Sequence, residues 1–461
     1  MRKLVGLFLL LCLPVASQAD AVDDFVRQKM QEQNIPGLAM AIMRDGVLVR
    51  AQGYGYANLE HHVPVHVDTI FQSGSIGKMF TATAIMLMVE DGKLVLDDSI
   101  RKYLPEAPKS WAPITVRHVL NHTSGLAGNP DIDLRKDYTD DELLQVFYGM
   151  KLDAPAGQQY SYSNTGYELL GILVKKVGGA SYIDVLENRV FGPLNMQTAG
   201  LIDDRGIVPN RAAGYEVERD GAIFNQEWVS PTANSTGDGA LYLTVLDFAK
   251  WEAAVRAGKV LKPESWAEVF KPARLNSGKT YPYGFAWRLQ GAPNGPLVHG
   301  HGGAWQGFRS NYIRFPKEGL AVVLLANGTS AQLEFAQQIA GMIDPRLALP
   351  DAAPIADSVP QLTERLRKWL PGKEIPNSDR GQFDPDGVAQ RIAGYAGTRA
   401  AFGKFEELQL FHVAPLGDDQ FYLYRARFDN GVATARVLVS GAGLIKQFVL
   451  IPAAKWNSPL S

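Results

Sequence analysis

The amino-acid sequence predicts an α/β (α+β) fold: a central antiparallel sheet flanked by helices, a helical lobe beside it, and a small C-terminal antiparallel β domain. Three patterns lead to this prediction. Strand-like runs stand at both ends of a long helical region, one helix is apolar on nearly every side, and four β-like runs joined by turns end the chain. At 461 residues the chain exceeds one ordinary domain, so we expect a large domain and a smaller one.

The first residues are typical of a secretory signal peptide. A basic start is followed by an apolar run from Leu4 to Leu13 and by small residues from Ala16 to Ala21. Cleavage after Ala19 or after Ala21 satisfies the small-residue rule, and we assign residues 1–19 to the signal. The apolar run is too short to span a membrane. We therefore expect export to the periplasm or the exterior, without stable membrane insertion of the mature chain.

The predicted large domain covers residues 20–345 and starts with a helix and a hairpin. The helix spans Asp23–Gln33, and an Asp-Gly pair between the apolar runs Gly37–Ile42 and Val47–Gly53 is a hairpin signal. The stretch Lys78–Glu90 is apolar almost all round and ends at another Asp-Gly pair. It predicts a helix that is buried on every side.

The middle of this domain, from Asp97 to Leu201, alternates short helical patterns with loops and predicts a helical insertion. Strand patterns then return, so strands from both ends of the domain would assemble into one sheet beside the helical lobe. The expected later elements are four strands and a final amphipathic helix: Gly239–Leu243, Gly284–Leu289, Ser310–Phe315, Leu320–Ala326 and Ser330–Ile343.

A proline-rich stretch separates the large domain from the last part of the chain. Residues 346–385 carry repeated prolines around one short amphipathic helix, Gln361–Leu370, and are expected to form a linker. The small β domain is assigned to residues 386–461. Its four β-like runs are joined by turns: Leu408–Val413, Phe421–Phe428, Val432–Val439 and Ile445–Ile451. Nothing in these runs indicates what the domain does.

The composition excludes some classes of partner. Lys and Arg number 46 against 48 Asp and Glu, a net charge of -2, which gives no field for binding nucleic acid or an acidic polymer. A small-molecule or peptide substrate fits better. The single cysteine, Cys12, lies in the signal segment, so the mature chain is expected to have neither disulfides nor thiol chemistry. No cofactor is predicted, and the oligomeric state is left open.

A serine and a lysine stand at the start of the buried helix. Because residues i and i+3 share a helix face, the Lys78 amine can lie beside the Ser75 hydroxyl and accept its proton if part of the amine is neutral. The helix N-terminus adds favourable potential where negative charge develops. A Ser-x-x-Lys match arises by chance roughly once in a chain of this length, so the spacing alone is a weak signal.

A second candidate segment is Tyr162-Ser163-Asn164. A tyrosine phenolate beside a lysine can act as a general base, because the cation lowers the pKa of the phenol. Tyr160 lacks the asparagine that stands two residues after Tyr162. Taken alone, the segment is also explained by a loop with aromatic packing.

A third segment, His299–Phe308, directly precedes an apolar strand. Its glycines allow a backbone to approach a substrate closely and to present its N–H groups. A His-x-His pair in a strand also suits a metal, but no matching third ligand stands out, so no metal site is predicted. The other histidines, including His61, His62 and His66, are expected to be solvated or structural.

In this order, about ninety and then about one hundred forty residues apart, the three segments resemble the serine β-lactamase and penicillin-recognising enzyme superfamily. The resemblance is to its class C-like branch of esterases, D-aminopeptidases and DD-carboxypeptidases. Leu120–Leu126 and Ser235–Leu241 are also similar to that branch, and the resemblance covers about Asp23 to Ile343. No Gly-x-Ser-x-Gly surrounds Ser75, so an α/β-hydrolase elbow is not supported.

The resemblance implies a role for each candidate residue. Ser75 would attack the substrate carbonyl and form an acyl-enzyme, while Lys78 and Tyr162 would shuttle the proton. The backbone N–H groups of Ser75 and of one residue in the third segment would hold the oxyanion. The substrate-binding residues it implies are Asn164, for the substrate amide, and His301, Gly303 and the oxyanion donor Ala304.

One departure from the resemblance bears on the substrate. β-Lactamases of this type carry lysine where this chain has His301, and a mostly neutral histidine weakens both the hold on a carboxylate and the positive potential near the tyrosine. The sequence therefore predicts a serine hydrolase acting through an acyl-enzyme on amide or ester bonds, in a D-amino-acid-containing peptide or a small ester. The alternatives are a β-lactamase proper, a penicillin-binding or sensor-like protein with little turnover, and a metal-dependent hydrolase using His299 and His301.

Overall fold

The fold is seen in a computed structural model, which describes residues 15–218, 220–232, 236–291, 296–348, 353–372, 374–384, 395–396, 399–400 and 402–452. Residues 1–14 of the predicted signal peptide lie outside this part of the chain. The α-helices described are α1 (Val15–Gln33), α2 (Lys78–Glu90), α3 (Val116–Leu120), α4 (Asp140–Gly149), α5 (Asn164–Gly178), α6 (Tyr182–Leu186), α7 (Val245–Arg256), α8 (Pro263–Val269), α9 (Ala336–Ile343) and α10 (Pro360–Trp369).

The strands fall into a large sheet, small two- and three-stranded sheets, and a C-terminal sheet. They are β1 (Gly37–Arg44), β2 (Val47–Asn58), β3 (Val63–Pro64), β4 (Phe71–Gln72), β5 (Gly200–Leu201), β6 (Tyr215–Val217), β7 (Ile223–Asn225), β8 (Leu241–Leu243), β9 (Ala273–Arg274), β10 (Thr280–Tyr281), β11 (Arg288–Gly291), β12 (Leu297–Trp305), β13 (Phe308–Phe315), β14 (Leu320–Ala326), β15 (Phe405–Leu416), β16 (Asp419–Phe428), β17 (Gly431–Val439) and β18 (Ile445–Pro452).

The centre of the large domain is a seven-stranded antiparallel sheet in the order β11-β12-β13-β14-β1-β2-β3. Strands β1 and β14 come from opposite ends of the domain and pair directly, with Leu38 opposite Ala326. The prediction of one sheet assembled from distant segments, with a helical lobe beside it, is confirmed for strands from both ends of the domain. The strand predicted at Gly239–Leu243 is an exception, because β8 pairs with β4 and β5 in a separate three-stranded sheet.

Both faces of this sheet are covered, because successive side chains of a strand point to opposite sides. One set of β1 residues packs under the helical lobe, and the alternate set packs against α1 and α9. The first set is Ala39, Ala41 and Met43, and the second is Leu38, Met40 and Ile42. The sheet is therefore the middle layer of the domain.

Helix α2 has the predicted bounds, and its residues from Lys78 to Met88 are all buried. It lies within the core on the lobe side of the sheet, where Phe80 packs against Trp251 with ring centroids 4.7 Å apart. A helix surrounded in this way also removes its first residue, Lys78, from water.

Several predicted elements have different bounds in the structure. The helix predicted at Asp23–Gln33 begins at Val15, and the strand predicted at Gly239–Leu243 begins at Leu241. The strand predicted at Gly284–Leu289 begins only at Arg288, because the residues before it form a buried loop in which Ala286 has φ +65°. The apolar run there reflects burial of a loop and not a strand. The helix predicted at Ser330–Ile343 is divided into a 3-10 turn, Leu333–Phe335, and the shorter α9.

The C-terminal strands β15 to β18 form a four-stranded antiparallel sheet in chain order, as predicted. Helix α10, which falls within the predicted linker, lies on one face of this sheet. Its Leu366 and Trp369 share a core with Tyr424 and Phe448. The division of the chain at residues 346–385 stays a prediction, but the helix in that segment packs with the small sheet.

The small sheet contacts the large domain at the β9–β10 hairpin. In the turn between β15 and β16, Gly417 N–H donates to the Thr280 carbonyl at 3.0 Å. Beside this bond, Lys279 pairs with Asp418 at 3.2 Å. Lys446 of β18 also donates to Gln159 Oε1 at 3.4 Å, so the C-terminal sheet lies close to the segment that precedes Tyr162.

Candidate active site

Ser75 lies in a 3-10 turn, Gly74–Gly77, that leads directly into α2. Its side chain is half-buried, whereas Lys78 is 0% exposed. Lys78 Nζ donates a hydrogen bond to Ser75 Oγ at 3.1 Å. The structure therefore places the lysine beside the serine hydroxyl, as the i, i+3 spacing suggested.

The Lys78 ammonium makes two further hydrogen bonds. It donates to Asn164 Oδ1 at 2.7 Å and to the Asp238 backbone carbonyl. The Asp238 carboxylate lies 4.0 Å from Nζ and is 4% exposed. An ammonium has three N–H donors, and all three are used here beside a buried negative charge. The geometry is that of a cation held in a fixed position.

The Tyr162 segment is positioned by the start of α5. Ser163 caps this helix, since its Oγ accepts a hydrogen bond from Gly166 N–H at 3.0 Å. Tyr162 thus immediately precedes the cap, and Asn164 is the first residue of the helix. The Asn164 amide also donates to Asn129 Oδ1 at 2.7 Å, so both ends of the amide are bound.

Tyr162 approaches Lys78 with its ring. The Lys78 Nζ lies 5.2 Å from the Tyr162 ring centroid, and the Tyr162 Oη is buried without a hydrogen-bond partner among the described residues. No hydrogen bond between Tyr162 and Ser75 is formed in this part of the chain. Catalytic hydrogen bonds are often long without substrate and tighten in the complex.

Strand β12 crosses the 3-10 turn at backbone contact distance. A Cβ on Gly74, which has φ +53°, would lie 2.7 Å from Ala304 N. A Cβ on Gly303 would lie 2.3 Å from the Ser73 carbonyl and 3.0 Å from Ser75 N. Both positions therefore require glycine. The close approach packs the backbone at Gly303–Ala304 against the 3-10 turn that carries Ser75.

His301 belongs to a chain of hydrogen bonds that starts at the Tyr162 segment. Ser163 N–H donates to His122 Nδ1 at 3.1 Å. His122 Nε2 lies 3.2 Å from Tyr283 Oη, which lies 2.9 Å from His301 Nε2. His301 Nδ1 is 2.6 Å from the Gly302 carbonyl. We call His122, Tyr283 and His301 the imidazole wall.

One assignment of protons satisfies every member of the imidazole wall. His301 Nδ1 faces a carbonyl and must carry a proton, while His122 Nδ1 accepts one and must not. His122 Nε2–H then donates to Tyr283, and Tyr283 O–H donates to His301 Nε2. Burial, and then nearby positive charge, lower the pKa of both histidines well below the ordinary value. Both are neutral at pH 7.

His299 lies apart from the imidazole wall. Its ring stacks on Phe270 with centroids 4.7 Å apart, and burial, followed by the charge of Arg314, lowers its pKa to about 4. In the described ranges, no group of three or more His, Cys, Asp or Glu could hold a metal ion. The loop histidines are exposed: His61, His62 and His66.

The structure adds residues that the sequence analysis did not single out. Tyr283 carries no motif, and His122 entered only through the resembling stretch around it. Glu168 is the lone acidic residue of an otherwise apolar stretch of α5, four residues after Asn164, a spacing that could have identified it. It is 7% exposed and lines a cavity of about 250 Å³ together with Asn164, Asp238 and Trp305.

Comparison with known proteins gives a family match over most of the chain. The protein-family model described as Beta-lactamase matches residues 22–341. A penicillin-binding protein of Bacillus subtilis (strain 168) is 28% identical over 303 residues, which are 61% of this chain and 66% of that protein. A D-aminopeptidase of Gluconobacter oxydans (strain 621H) is 29% identical over 324 residues, 67% of this chain and 59% of that protein. The matched regions thus span somewhat less than two thirds of these relatives.

A solved structure is similar over nearly the whole chain. The octameric penicillin-binding protein homologue from Pyrococcus abyssi is 25% identical and superposes with a TM-score of 0.63, covering 91% of this chain and 90% of that one. The large domain alone makes up less of this chain than the 91% that superposes. The likeness therefore extends into the C-terminal part.

Proposed function

The chain belongs to the Beta-lactamase family of hydrolases, and from this premise we propose that it acts through an acyl-enzyme formed on Ser75. The observation that carries the proposal is the completely buried Lys78, whose ammonium donates to Ser75 Oγ at 3.1 Å. A lysine is rarely taken out of water unless it is paired or functional. Here it is paired, and one of its three hydrogen bonds goes to the hydroxyl of the half-buried Ser75.

In the proposed mechanism, Ser75 Oγ attacks the substrate carbonyl carbon while Tyr162 Oη accepts the hydroxyl proton as general base, and the Lys78 ammonium holds Ser75 Oγ in place through its hydrogen bond. The Lys78 cation faces the Tyr162 ring and stabilises negative charge in this region. The backbone N–H groups of Ser75 and Ala304 bind the oxygen that becomes negative. The proton then returns to the leaving group through Tyr162, and a water molecule releases the acyl group by the reverse sequence.

We propose that the substrate is a D-amino-acid-containing peptide or a small ester. The support is His301, which is buried and neutral and so offers no positive charge to the carboxylate of a β-lactam. The similarity to a D-aminopeptidase points the same way. A penicillin-binding protein with little turnover is the second candidate, because one relative is a penicillin-binding protein.

We also propose that the chain is exported and that its signal is removed near Ala19. The basic and apolar start of the sequence supports this. Within the described residues, no helix is long and apolar enough to cross a membrane. N-terminal sequencing of protein recovered outside the inner membrane should start at Asp20 or Val22, and an intact Met1 would contradict the proposal.

The acyl-enzyme is tested by active-site labelling. A fluorophosphonate probe should label the wild-type protein, and Ser75→Ala should abolish the label because no other hydroxyl forms a hydrogen bond with Lys78 among the described residues. The neighbouring Ser73→Ala is the matched control, since its hydroxyl bonds to the Gly239 carbonyl and not to Lys78. Labelling that survives Ser75→Ala would show that the nucleophile is another residue. A panel of p-nitrophenyl esters, D-amino-acid amides, D-Ala-D-Ala peptides and a chromogenic cephalosporin then identifies the class of substrate.

A further inference from the structure

The cavity of about 250 Å³ is lined by residues that neighbour the contact between β12 and the 3-10 turn of Ser75. It is lined by Asn164 and by Trp305, which directly follows Ala304 in β12. His301 stands at the other side, four residues before Trp305, which is about 13 Å along an extended strand. A substrate carbonyl at Ser75 would therefore have the imidazole wall on one side and this cavity on the other.

The acyl part of a substrate belongs on the cavity side. The leaving group must accept its proton from Tyr162, whose ring lies 5.9 Å from the His301 ring. The leaving group therefore occupies the side of the imidazole wall. The group that stays attached to Ser75 extends past Asn164 into the cavity.

The lining of the cavity combines apolar side chains with two carboxyl groups. Ile132 and Leu134 contribute to an apolar part, while Glu168 and Asp238 are the acidic members. An apolar cavity of about 150 Å³ in another protein binds benzene. The present cavity therefore has room for one amino-acid residue, with its side chain against the apolar part.

The two carboxyl groups differ in how they are satisfied. The Asp238 carboxylate accepts a hydrogen bond from Thr236 Oγ1 at 2.6 Å and lies 4.0 Å from Lys78 Nζ. The Glu168 Oε2 is buried and has no hydrogen-bond partner, and no Lys or Arg of the described residues forms an ion pair with Glu168. Lys78 is thus paired with Asp238, and Glu168 has no ionic partner among the described residues.

An unpartnered carboxyl in a buried place is costly to the folded protein, and such groups are normally paired. Burial, and then the charge of Asp238, raise the pKa of Glu168 well above its ordinary value, which reflects this cost. A ligand that carries an ammonium group would supply both the missing charge and the missing donors. A neutral donor could supply a hydrogen bond but no charge, and an anionic group could supply neither.

We propose that this cavity binds the free amino group of the acyl donor, and that Glu168 is the residue that recognises it. The preferred substrates are then amides, esters or peptides whose acyl residue has an unblocked amine. The inference rests on the proposed acyl-enzyme, because that mechanism decides which part of the substrate lies in the cavity. It goes further by naming the chemical group that is recognised and the side chain that recognises it.

The test measures how well two matched compounds protect Ser75 from fluorophosphonate labelling: D-phenylalanine amide and N-acetyl-D-phenylalanine amide. They differ at the amine alone, and protection does not require turnover. In the wild-type protein the free-amine compound should protect at concentrations about 10- to 100-fold lower, as expected for hydrogen bonds between charged groups. Glu168→Gln should remove this difference and leave protection by the acetylated compound unchanged.

Controls separate the inference from the proposed function. Glu264→Gln, on the exposed surface of α8, should keep the preference for the free amine. Equal protection by the two compounds in the wild-type protein would overturn the inference and leave the acyl-enzyme intact. A preference that survives Glu168→Gln would overturn the role of Glu168. Absence of labelling at Ser75 would instead contradict the acyl-enzyme, so the two failures are distinguishable.

Discussion

On the His301 side of Ser75 the three members of the imidazole wall satisfy one another, whereas on the Glu168 side a carboxyl oxygen is buried without a hydrogen-bond partner among the described residues. The hydrogen bonds of His122, Tyr283 and His301 are arranged so that each donor faces an acceptor. Glu168 Oε2 meets none among the described residues. A closed network of this kind fixes geometry, while an open buried group is available to a ligand.

The ionisable groups on the two sides of Ser75 also differ. The imidazole wall is neutral, because burial lowers the pKa of both its histidines. In the cavity, Glu168 has no ionic partner among the described residues, and burial, followed by the charge of Asp238, raises its pKa well above its ordinary value. Selectivity of this enzyme would then come from the acyl side of the scissile bond, and the leaving-group side would tolerate variety. Substitutions on each side test this contrast.

Tyr162→Phe should have the largest effect on turnover. It removes the hydroxyl that is proposed to pass protons, so kcat should fall by about 10²- to 10⁴-fold while KM changes little. The measurement is steady-state turnover of whichever p-nitrophenyl ester or amide the panel identifies. Tyr160→Phe is the matched control, because the Tyr160 ring stacks on Tyr281 with centroids 3.9 Å apart and phenylalanine keeps that stack. Equal losses in the two variants would remove Tyr162 from the mechanism.

His301→Lys should have an intermediate effect on turnover. It would place an ionisable side chain on the His301 side of Ser75 as well. A cation at this position can bind the carboxylate of a β-lactam, and one such bond, worth about 1.5 kcal/mol, raises kcat/KM for a chromogenic cephalosporin about tenfold. His301→Gln can keep a hydrogen bond to Tyr283 without the charge and should show no gain. If His301→Lys shows no gain either, the shape of the pocket and not its charge excludes β-lactams.

The sequence was sufficient to predict those features of the structure that depend on local patterns of residues. Helix α2 has the predicted bounds because its apolar residues surround it, and Lys78 contacts Ser75 because i and i+3 share a face. The four C-terminal strands follow from alternation and turns. The order of three short segments was enough to indicate the family to which the chain belongs.

Features that depend on contacts between distant segments of the chain could not be predicted from local sequence patterns. Tyr283 gains its role only because a loop between β10 and β11 brings it between two histidines. The raised pKa of Glu168 depends first on its burial in the folded protein and then on the charge of Asp238, which lies far from it in the chain. The apolar residues before Arg288 suggested a strand, since burial in a loop and burial in a sheet leave the same composition.

The C-terminal sheet lies closer to the imidazole wall than its position in the chain suggests. Lys446 Nζ lies 3.4 Å from Gln159 Oε1 and 2.9 Å from Asp419. Gln159 precedes Tyr160, and Thr280, which accepts the bond from Gly417, precedes Tyr281. The small sheet thus contacts the residue before each of the two stacked tyrosines. Through this stack it supports the segment that carries Tyr162.

Lys446→Ala should therefore have the smallest effect on turnover. This effect should be limited to the His301 side of the site. Partly exposed polar contacts contribute up to about 1 kcal/mol, so kcat should fall by at most about fivefold. The preference for a free amine should not change, because Glu168 lies on the other side of Ser75. Arg427→Ala is the control, since Arg427 pairs with Glu406 and Glu407 within the same sheet and should leave kcat as it is. A change in amine preference in Lys446→Ala would show that the two sides are coupled through the C-terminal sheet. The His301 side and the Glu168 side would then not act independently.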